Sequence, residues 1–410
     1  MKSRYDYEVP AEDPELTHVG PGTPMGELMR RYWQPICLSG ELTDLPRKIR
    51  ILCEDLVVFR DNEGRVGCLD SHCAHRGTSL EYGRVEERGI RCCYHGWLYD
   101  VEGQCIEMPC EQPGYADKMN VWQPAYPVYE YGGLVFIYMG PPAKRPVFPI
   151  YDIAHVDGRD DVILRGMRLW DDHGVGFVRD CNWLQNFENV MDPYHLLMLH
   201  ATNSGDQFGS ALTADGAPDI GFEITDLGVR YRFFRALPNG NRLERYTECI
   251  LPNIFLVPSI HEQGTESKIR AKATELSWCV PVDDEQLYGI SIVAWPIRDG
   301  EPDPHWKAGT DTLTSIRPGS LRERPYEEKQ RLPDDMEAQE GQRTIAVHAL
   351  ENLALSDGGI VQLRRALKEA MAAMERGEDP PNTWRDDGPP HPVETHAWNT
   401  VITPKSQAAE

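Results

Sequence analysis

Four residues in one stretch have the types and spacing to hold metal: Cys73-Ala-His75-Arg-Gly and then, with sixteen residues between His75 and Cys92, Cys92-Cys-Tyr-His95-Gly-Trp. Two thiolates and two neutral imidazoles suit a 2Fe-2S cluster, with both cysteines on one iron and both histidines on the other. Neutral nitrogen ligands lower the negative charge of such a centre and raise its potential above that of an all-cysteine cluster. The stretch then reads as an electron port. A tetrahedral Cys2His2 zinc site uses the same donors. Zinc motifs commonly place two cysteines first and two histidines second, whereas each pair here is mixed, Cys-x-His and Cys-x-x-His, which favours the cluster.

A second stretch runs Asn182-Trp-Leu-Gln-Asn-Phe-Glu188-Asn189-Val-Met-Asp192-Pro-Tyr-His195-Leu-Leu-Met-Leu-His200. Two histidines among leucines can be core residues satisfied by their neighbours. Residues five apart lie ~140° apart around an ideal helix, which is poor for joint chelation. Joint chelation therefore needs a break, which Pro193 or a wider π-like turn would supply. A carboxylate to join them must come from later in the chain, and Ser356-Asp357-Gly-Gly stands ahead of Glu351 and Asp335. Ser356 reads as the cap of a helix carrying Ile360, Leu363, Leu367, Met371 and Met374, with Gly377 and Pro380-Pro as its stop. Asp357 in its first turn would suit the helix dipole, and on that ground alone it is an ordinary helix-start aspartate.

The two cysteine-histidine tips, with Asp100 and Gly103 beyond, resemble the Rieske family. Neither tip has the extra cysteine of the respiratory branch, the positions being Thr78 and Tyr94, which points to the ferredoxin and oxygenase branch. Asn-x-x-Asp-x-x-His-x4-His after such a motif resembles the catalytic iron site of Rieske non-haem iron oxygenases. The resemblance runs from His18-Val-Gly-Pro-Gly-Thr-Pro24 through the Asp357 helix. It is nearest the phthalate dioxygenase group, which includes biaryl O-demethylases of the 5,5'-dehydrodivanillate type. It implies a mononuclear Fe(II) held by His195, His200 and Asp357 as a facial triad. It also implies that the Asp192 carboxylate links His95 of one subunit to His195 of the next, within a homotrimer or stacked trimers, and that Asn189 faces the iron pocket. An NAD(P)H-dependent reductase, with or without a separate ferredoxin, would supply electrons. The substrates would be O2 and a small aromatic acid, with O-demethylation ahead of cis-diol formation.

The chain that must position these groups has 410 residues, enough for one or two full cores. Its net charge of -23 argues against a nucleic-acid or anionic-membrane partner. No run of eighteen apolar residues occurs and the first residues lack an apolar signal segment, so a cytoplasmic location is expected. In a reducing compartment Cys37, Cys53, Cys68, Cys105, Cys110, Cys181, Cys249 and Cys279 read as core thiols, and Cys93 as packed beside the cluster.

Short strands at 49–52, 56–59, 96–99 and 134–138 predict a small all-β unit around the tips. Longer strands at 162–170, 222–237, 245–257, 271–282 and 287–295, flanked by helices at 182–200 and 336–376, predict an antiparallel sheet wrapped by helices. The class expected is α+β, and the resemblance makes the larger unit a helix-grip, START-like domain. The expected division is 1–27 as an N-terminal segment packing on the catalytic domain, 28–140 as the cluster domain, 141–390 as the catalytic domain and 391–410 as a tail. Residues 298–333 read as a loop or lid. Arg230, Arg232 and Arg235 sit on one strand, where one could clamp a carboxylate. Two other classes fit part of the pattern. An electron carrier has no use for His195, His200 and Asp357, and a non-catalytic binding protein has none for the cluster. Iron content separates them, at three, two and none per chain for oxygenase, carrier and binder.

Overall fold

The computed structural model describes residues 7–403 apart from 170, 173–174, 177, 201–217, 238–239, 259–267, 304–323, 386–387 and 389–391. The chain opens with α1 (Pro14–Thr17) and α2 (Pro24–Met29), where Thr23 accepts the Gly26 N–H and Pro24 occupies the first turn, which needs no donor.

The cluster motif lies in a stack of three small antiparallel sheets. The first has the order β1 (Trp33–Leu38), β10 (Leu134–Tyr138), β9 (Val128–Tyr131). The second joins β2 (Arg47–Ile51), β3 (Glu54–Arg60) and β4 (Val66–Asp70). The third joins β5 (Arg84–Glu86), β6 (Gly89–Arg91), β7 (Leu98–Tyr99) and β8 (Cys105–Glu107), with α3 (Tyr115–Met119) against β8. Strand β10, Leu-Val-Phe-Ile-Tyr, is buried throughout, as an uninterrupted apolar run between two partners should be.

Beyond Pro149 the chain builds one large antiparallel sheet. Its order is β11 (Val162–Arg168), β20 (Leu287–Arg298), β19 (Glu275–Pro281), β17 (Ile254–Leu256), β16 (Arg242–Ile250), β15 (Gly228–Ala236), β14 (Asp219–Ile224). The short pair β12 (Asp171–Asp172) and β13 (Val175–Gly176) stands apart; β18 (Lys268–Lys272), β21 (Glu301–Pro302) and β22 (Trp398–Ile402) join the large sheet's margins. Period-two burial along β15 sends Val229, Tyr231, Phe233 and Arg235 inward.

The helices of this half are α4 (Trp183–Val190), α5 (His195–Met198), α6 (Tyr326–Arg331), α7 (Asp335–Glu340) and α8 (Gly358–Glu375). Helix α8 lies across β14 and β15 and buries Leu363, Ala366, Leu367, Ala370 and Met371 at helical spacing. It stops where Gly377 takes a φ of 81°, the left-handed turn that glycine adopts without strain. Both α1 and α2 pack against α8. The class is α+β, with a helix laid across an antiparallel sheet. Of the expected 298–333 loop, residues 304–323 lie outside the described residues, while β21 and α6 occupy its two ends. The 391–410 stretch, expected as a tail, contributes β22, which pairs with β16 and β18.

One buried carboxylate ties that C-terminal strand to the sheet. Glu248 on β16 is fully buried and accepts the His396 N–H at 2.7 Å and the Thr225 hydroxyl at 3.3 Å. Burial pushes its pKa from 4.5 up to about 7 against the pull of these bonds. The folded chain then holds a proton that the unfolded chain has released between those two values. This contribution to stability is therefore present below the unfolded value and is lost as pH rises toward 7, by roughly 3 kcal/mol in all. Glu248→Gln should raise the melting temperature at pH 8 and leave it little changed at pH 5, as thermal unfolding at the two pH values would test.

Candidate metal centres and the cleft beside them

The two cysteine-histidine tips are the same turn made twice. In the first, Cys73 N–H bonds Thr78 C=O at 3.0 Å and Gly77 N–H bonds Cys73 C=O at 2.8 Å. In the second, Cys92 N–H bonds Trp97 C=O at 2.9 Å and Gly96 N–H bonds Cys92 C=O at 3.1 Å. Each tip turns on a glycine at positive φ, 75° for Gly77 and 74° for Gly96, so the Gly in each motif is a backbone requirement. The paired loops bring the His75 and His95 rings to 4.5 Å, with Trp97 stacked on His75 at 4.4 Å. Cys73 and Cys92 are buried at 3% exposure, while both histidines stay half-buried toward the surface. The Tyr99 hydroxyl lies 3.2 Å from Cys73 Sγ, and the main-chain N–H groups of Tyr94 and His95 address Cys92 Sγ. Donors aimed at two inward sulfurs, with two imidazoles outward, fit a 2Fe-2S cluster whose histidine-bound iron faces the surface. Cys110, expected in the core, is exposed with Sγ 3.7 Å from the His95 carbonyl, and Cys93 is exposed too. Of the other seven expected in the core, Cys53 is half-buried and the remaining six are buried.

The second centre forms where the chain leaves α4. Pro193 breaks the run, α5 begins at His195, and Leu199 and His200 fall in a π-helical turn. That wider turn brings together two residues that an ideal helix would separate. The ring centroids of His195 and His200 are 5.3 Å apart at 70°. Asp335 Oδ1 lies 3.3 Å from His200 Nε2 and 3.7 Å from His195 Nε2, and the three ligand atoms all stand within 4.8 Å of one another. His195 Nδ1 is engaged by the Asp192 main-chain carbonyl, which turns Nε2 toward the shared point. Burial alone would raise the Asp335 carboxyl, yet the His200 hydrogen bond and the facing imidazoles hold it well below its usual value. Two imidazole nitrogens and one carboxylate oxygen converging on one point are the donor set of a facial-triad iron site.

Asp357 is not in this group. It stands at the cap of α8, where its carboxylate accepts the Ala354 N–H at 2.6 Å. Asp335 takes the place that the sequence reading gave to Asp357. Glu351 is also elsewhere, in a cluster with Glu188 and His348 bridged by Arg364. Asn189 does face the centre, its Nδ2 being 3.2 Å from Asp335 Oδ1 and 3.4 Å from His195 Nε2. The Asp192 carboxylate accepts the Tyr194 N–H at 3.0 Å and the His195 N–H at 3.3 Å, pinning the start of α5.

Helix α7 owes its place to α4. The Gln339 side-chain oxygen accepts from Asn186 and from Arg179, both at 2.9 Å, and the Gln339 carbonyl accepts the Gln185 amide at 2.8 Å. Asp335 is thereby held against the histidines by a second, buried set of polar bonds. A cleft of about 500 Å³ opens beside this centre, lined among others by Glu188, Asn189, Asp192, Glu351 and Leu353.

On β15 the three candidate arginines part company. Arg230 pairs with Glu223 at 2.7 Å and lies over the Tyr246 ring, and Arg232 lies over Phe234. Arg235 is on the opposite, inward face at 6% exposure. Arg245 on β16, which the sequence reading missed, is buried at 1% on that same face and donates to Asn399 at 3.1 Å. The register, Phe233 opposite Arg245 and Arg235 opposite Leu243, makes the two arginines diagonal neighbours.

Comparison with known proteins agrees with both centres. Residues 32–130 match the family described as the Rieske [2Fe-2S] domain. The chain is 44% identical over 386 residues to the phenoxybenzoate dioxygenase subunit alpha of Ectopseudomonas oleovorans, covering 92% of this chain and 89% of that protein. It is 43% identical to the tert-butanol monooxygenase / tert-amyl alcohol desaturase oxygenase subunit of Aquincola tertiaricarbonis, over 90% of this chain and 78% of that one. The 5,5'-dehydrodivanillate O-demethylase oxygenase subunit of Sphingobium sp. is 34% identical, over 92% and 83%. In fold the chain is similar to a caffeine-bound NdmA variant of Pseudomonas putida CBB5, with a TM-score of 0.60 and 20% identity over 86% of this chain and 94% of that one.

Proposed function

The chain belongs to the Rieske non-haem iron oxygenases, and we propose that it is a terminal oxygenase that acts on an aromatic acid, most specifically by O-demethylation of a methoxylated ring. The convergence of His195 Nε2, His200 Nε2 and Asp335 Oδ1 carries the oxygenase reading, because an electron carrier or a binding module has no use for that donor set. When bound, the cluster supplies electrons one at a time and the mononuclear iron supplies the activation of O2. The residues of the chain do the rest. Cys73 and Cys92 anchor the cluster inward while His75 and His95 carry electrons through the surface. Asp192 orients His195 through its carbonyl and, with its carboxylate at the rim of the cleft, receives His95 of a neighbouring copy in a ring of subunits. Asn189, between His195 and Asp335, holds these two groups in register.

The aromatic-acid class is supported by the relatives, a phenoxybenzoate dioxygenase at 44% identity and a 5,5'-dehydrodivanillate O-demethylase at 34%. For an aryl methyl ether the balance is Ar–O–CH3 + O2 + 2e− + 2H+ giving Ar–OH, formaldehyde and water, the electrons coming from a reductase partner. The second reading, cis-diol formation from the same class of acid, is favoured by the 44% identical relative, a dioxygenase subunit.

Single turnover of the chemically reduced protein with methoxylated and plain aromatic acids tests both readings. Formaldehyde in equal amount with a new phenol is the expected result. A cis-diol without formaldehyde would transfer the reading to ring dioxygenation, and turnover confined to uncharged compounds would remove the acidic substrate.

A further inference from the structure

Asp334 precedes the aspartate that faces both histidines, and its own side chain is turned to the opposite nitrogen of one of them. Its Oδ1 lies 4.0 Å from His200 Nδ1, while His200 Nε2 is 3.3 Å from Asp335 Oδ1. Asp334 is buried at 4% exposure. Its Oδ1 also caps α7 by accepting the Asp335 N–H at 2.7 Å, but its buried Oδ2 has no hydrogen-bond partner among the described residues. A helix cap needs one acceptor, and serine or asparagine would serve as well. A second, buried and unmatched carboxylate oxygen is expensive unless something donates to it.

We propose that Asp334 is a positioning residue for the mononuclear centre: its carboxylate receives the Nδ1–H of His200, which fixes that ring and its tautomer with Nε2 toward the metal. This rests on His200 and Asp335 being ligands, as proposed above. The two histidines are then oriented by unlike acceptors. His195 Nδ1 meets a neutral main-chain carbonyl, that of Asp192, while the group 4.0 Å from His200 Nδ1 is a carboxylate. The anion also adds a negative charge beside a site whose own ligand set carries only one. Helix α7 thus delivers ligand and orienting group in consecutive residues, one to each nitrogen of the same ring.

Two substitutions separate orientation from capping. Asp334→Ser keeps an efficient cap but is too short to reach the imidazole, and Asp334→Asn keeps both cap and reach without the charge. The readouts are the dissociation constant of Fe(II), and of Co(II) with its visible spectrum, for protein stripped of the mononuclear metal, together with the melting temperature. The two cluster irons serve as internal standard. Asp334→Ser should weaken metal binding by about 10–100-fold, the usual loss for an outer partner of a ligating histidine, with an unchanged melting temperature and an altered Co(II) spectrum. Asp334→Asn should recover part of that loss. Wild-type affinity in Asp334→Ser would overturn the proposal, and so would a loss that only follows a fallen melting temperature. Asp335→Ala run in parallel tests the reading beneath: if that variant still binds the third metal, the ligand assignment itself has failed, whatever Asp334 does.

Discussion

Asp335→Ala should leave the purified chain with two irons in place of three, and oxygen-dependent turnover should fall below about 1% of wild type. Asp357→Ala should keep all three irons and most of the activity. The contrast follows from geometry. Asp335 Oδ1 is the carboxylate oxygen that both His195 Nε2 and His200 Nε2 face, whereas the Asp357 carboxylate serves the Ala354 N–H at the start of α8. Losing an outer partner of a ligating histidine weakens metal binding by about 10–100-fold, and losing one of three ligands should exceed that. Losing the exposed hydrogen bond from Ala354 costs only ~1 kcal/mol of stability. Iron quantification on both variants, with acid-labile sulfide to count the cluster, checks the pair. Two irons in Asp357→Ala and three in Asp335→Ala would reverse the assignment.

The second large effect is on stability. Arg364 on α8 bridges Glu188 on α4 at 2.7 Å and Glu351 at 2.9 Å, with only 13% of its side chain exposed. Arg364→Ala strands Glu188, whose side chain is 9% exposed, and breaking one partner out of such a pair costs roughly 3–5 kcal/mol. The loss should depend on pH. Burial already raises the Glu188 carboxyl above its ordinary 4.5 even with Arg364 in place, and removing the guanidinium raises it further. The folded variant then takes up a proton that the unfolded chain has released, so its stability falls as pH rises from the ordinary value through the folded one. Denaturation at pH 6 and pH 8 should show the larger deficit at pH 8. An equal, small deficit at both would mean that water or another cation replaces Arg364.

The parts of this protein that local sequence could reveal are those whose partners are local. Each cluster tip closes on itself within five residues and needs its glycine for a positive φ, so ligands and turn appear together in the sequence. The same holds for His195 and His200, where Pro193 and the π-helical turn act within one short segment. The third ligand is different, because Asp335 lies 135 residues beyond His200 and is brought there by contacts of Gln185, Asn186 and Arg179 with Gln339 that no spacing shows. A signal was present in Asp334-Asp335-Met-Glu337, a capping box with one aspartate more than a cap requires.

Asp357 drew notice as a helix-start carboxylate in a segment that resembles the oxygenases, and the glycines that follow it answer to packing. A Cβ on Gly359 would stand 2.4 Å from the Met191 carbonyl and 2.7 Å from Phe222. Strand parity could have sorted the arginines, since Arg230 and Arg232 share one phase and Arg235 has the other. Arg245 on the adjacent strand becomes its neighbour only through the β15–β16 register, which the sequence alone does not specify.

The central claim is that this chain passes electrons from a Rieske cluster to O2 at a site built by His195, His200 and Asp335, and puts oxygen into an organic substrate. The most direct measurement is a single turnover of the fully reduced protein under 18O2 with the aromatic acid that gives most product. The account expects 18O in formaldehyde trapped as it forms, the phenol keeping its own ether oxygen, or in both hydroxyls of a cis-diol, together with an oxidised cluster, all lost in Asp335→Ala. Formaldehyde and ring product both without label, or a reduced protein that leaves every compound unchanged while its cluster oxidises at the same rate in wild type and variant, would contradict it.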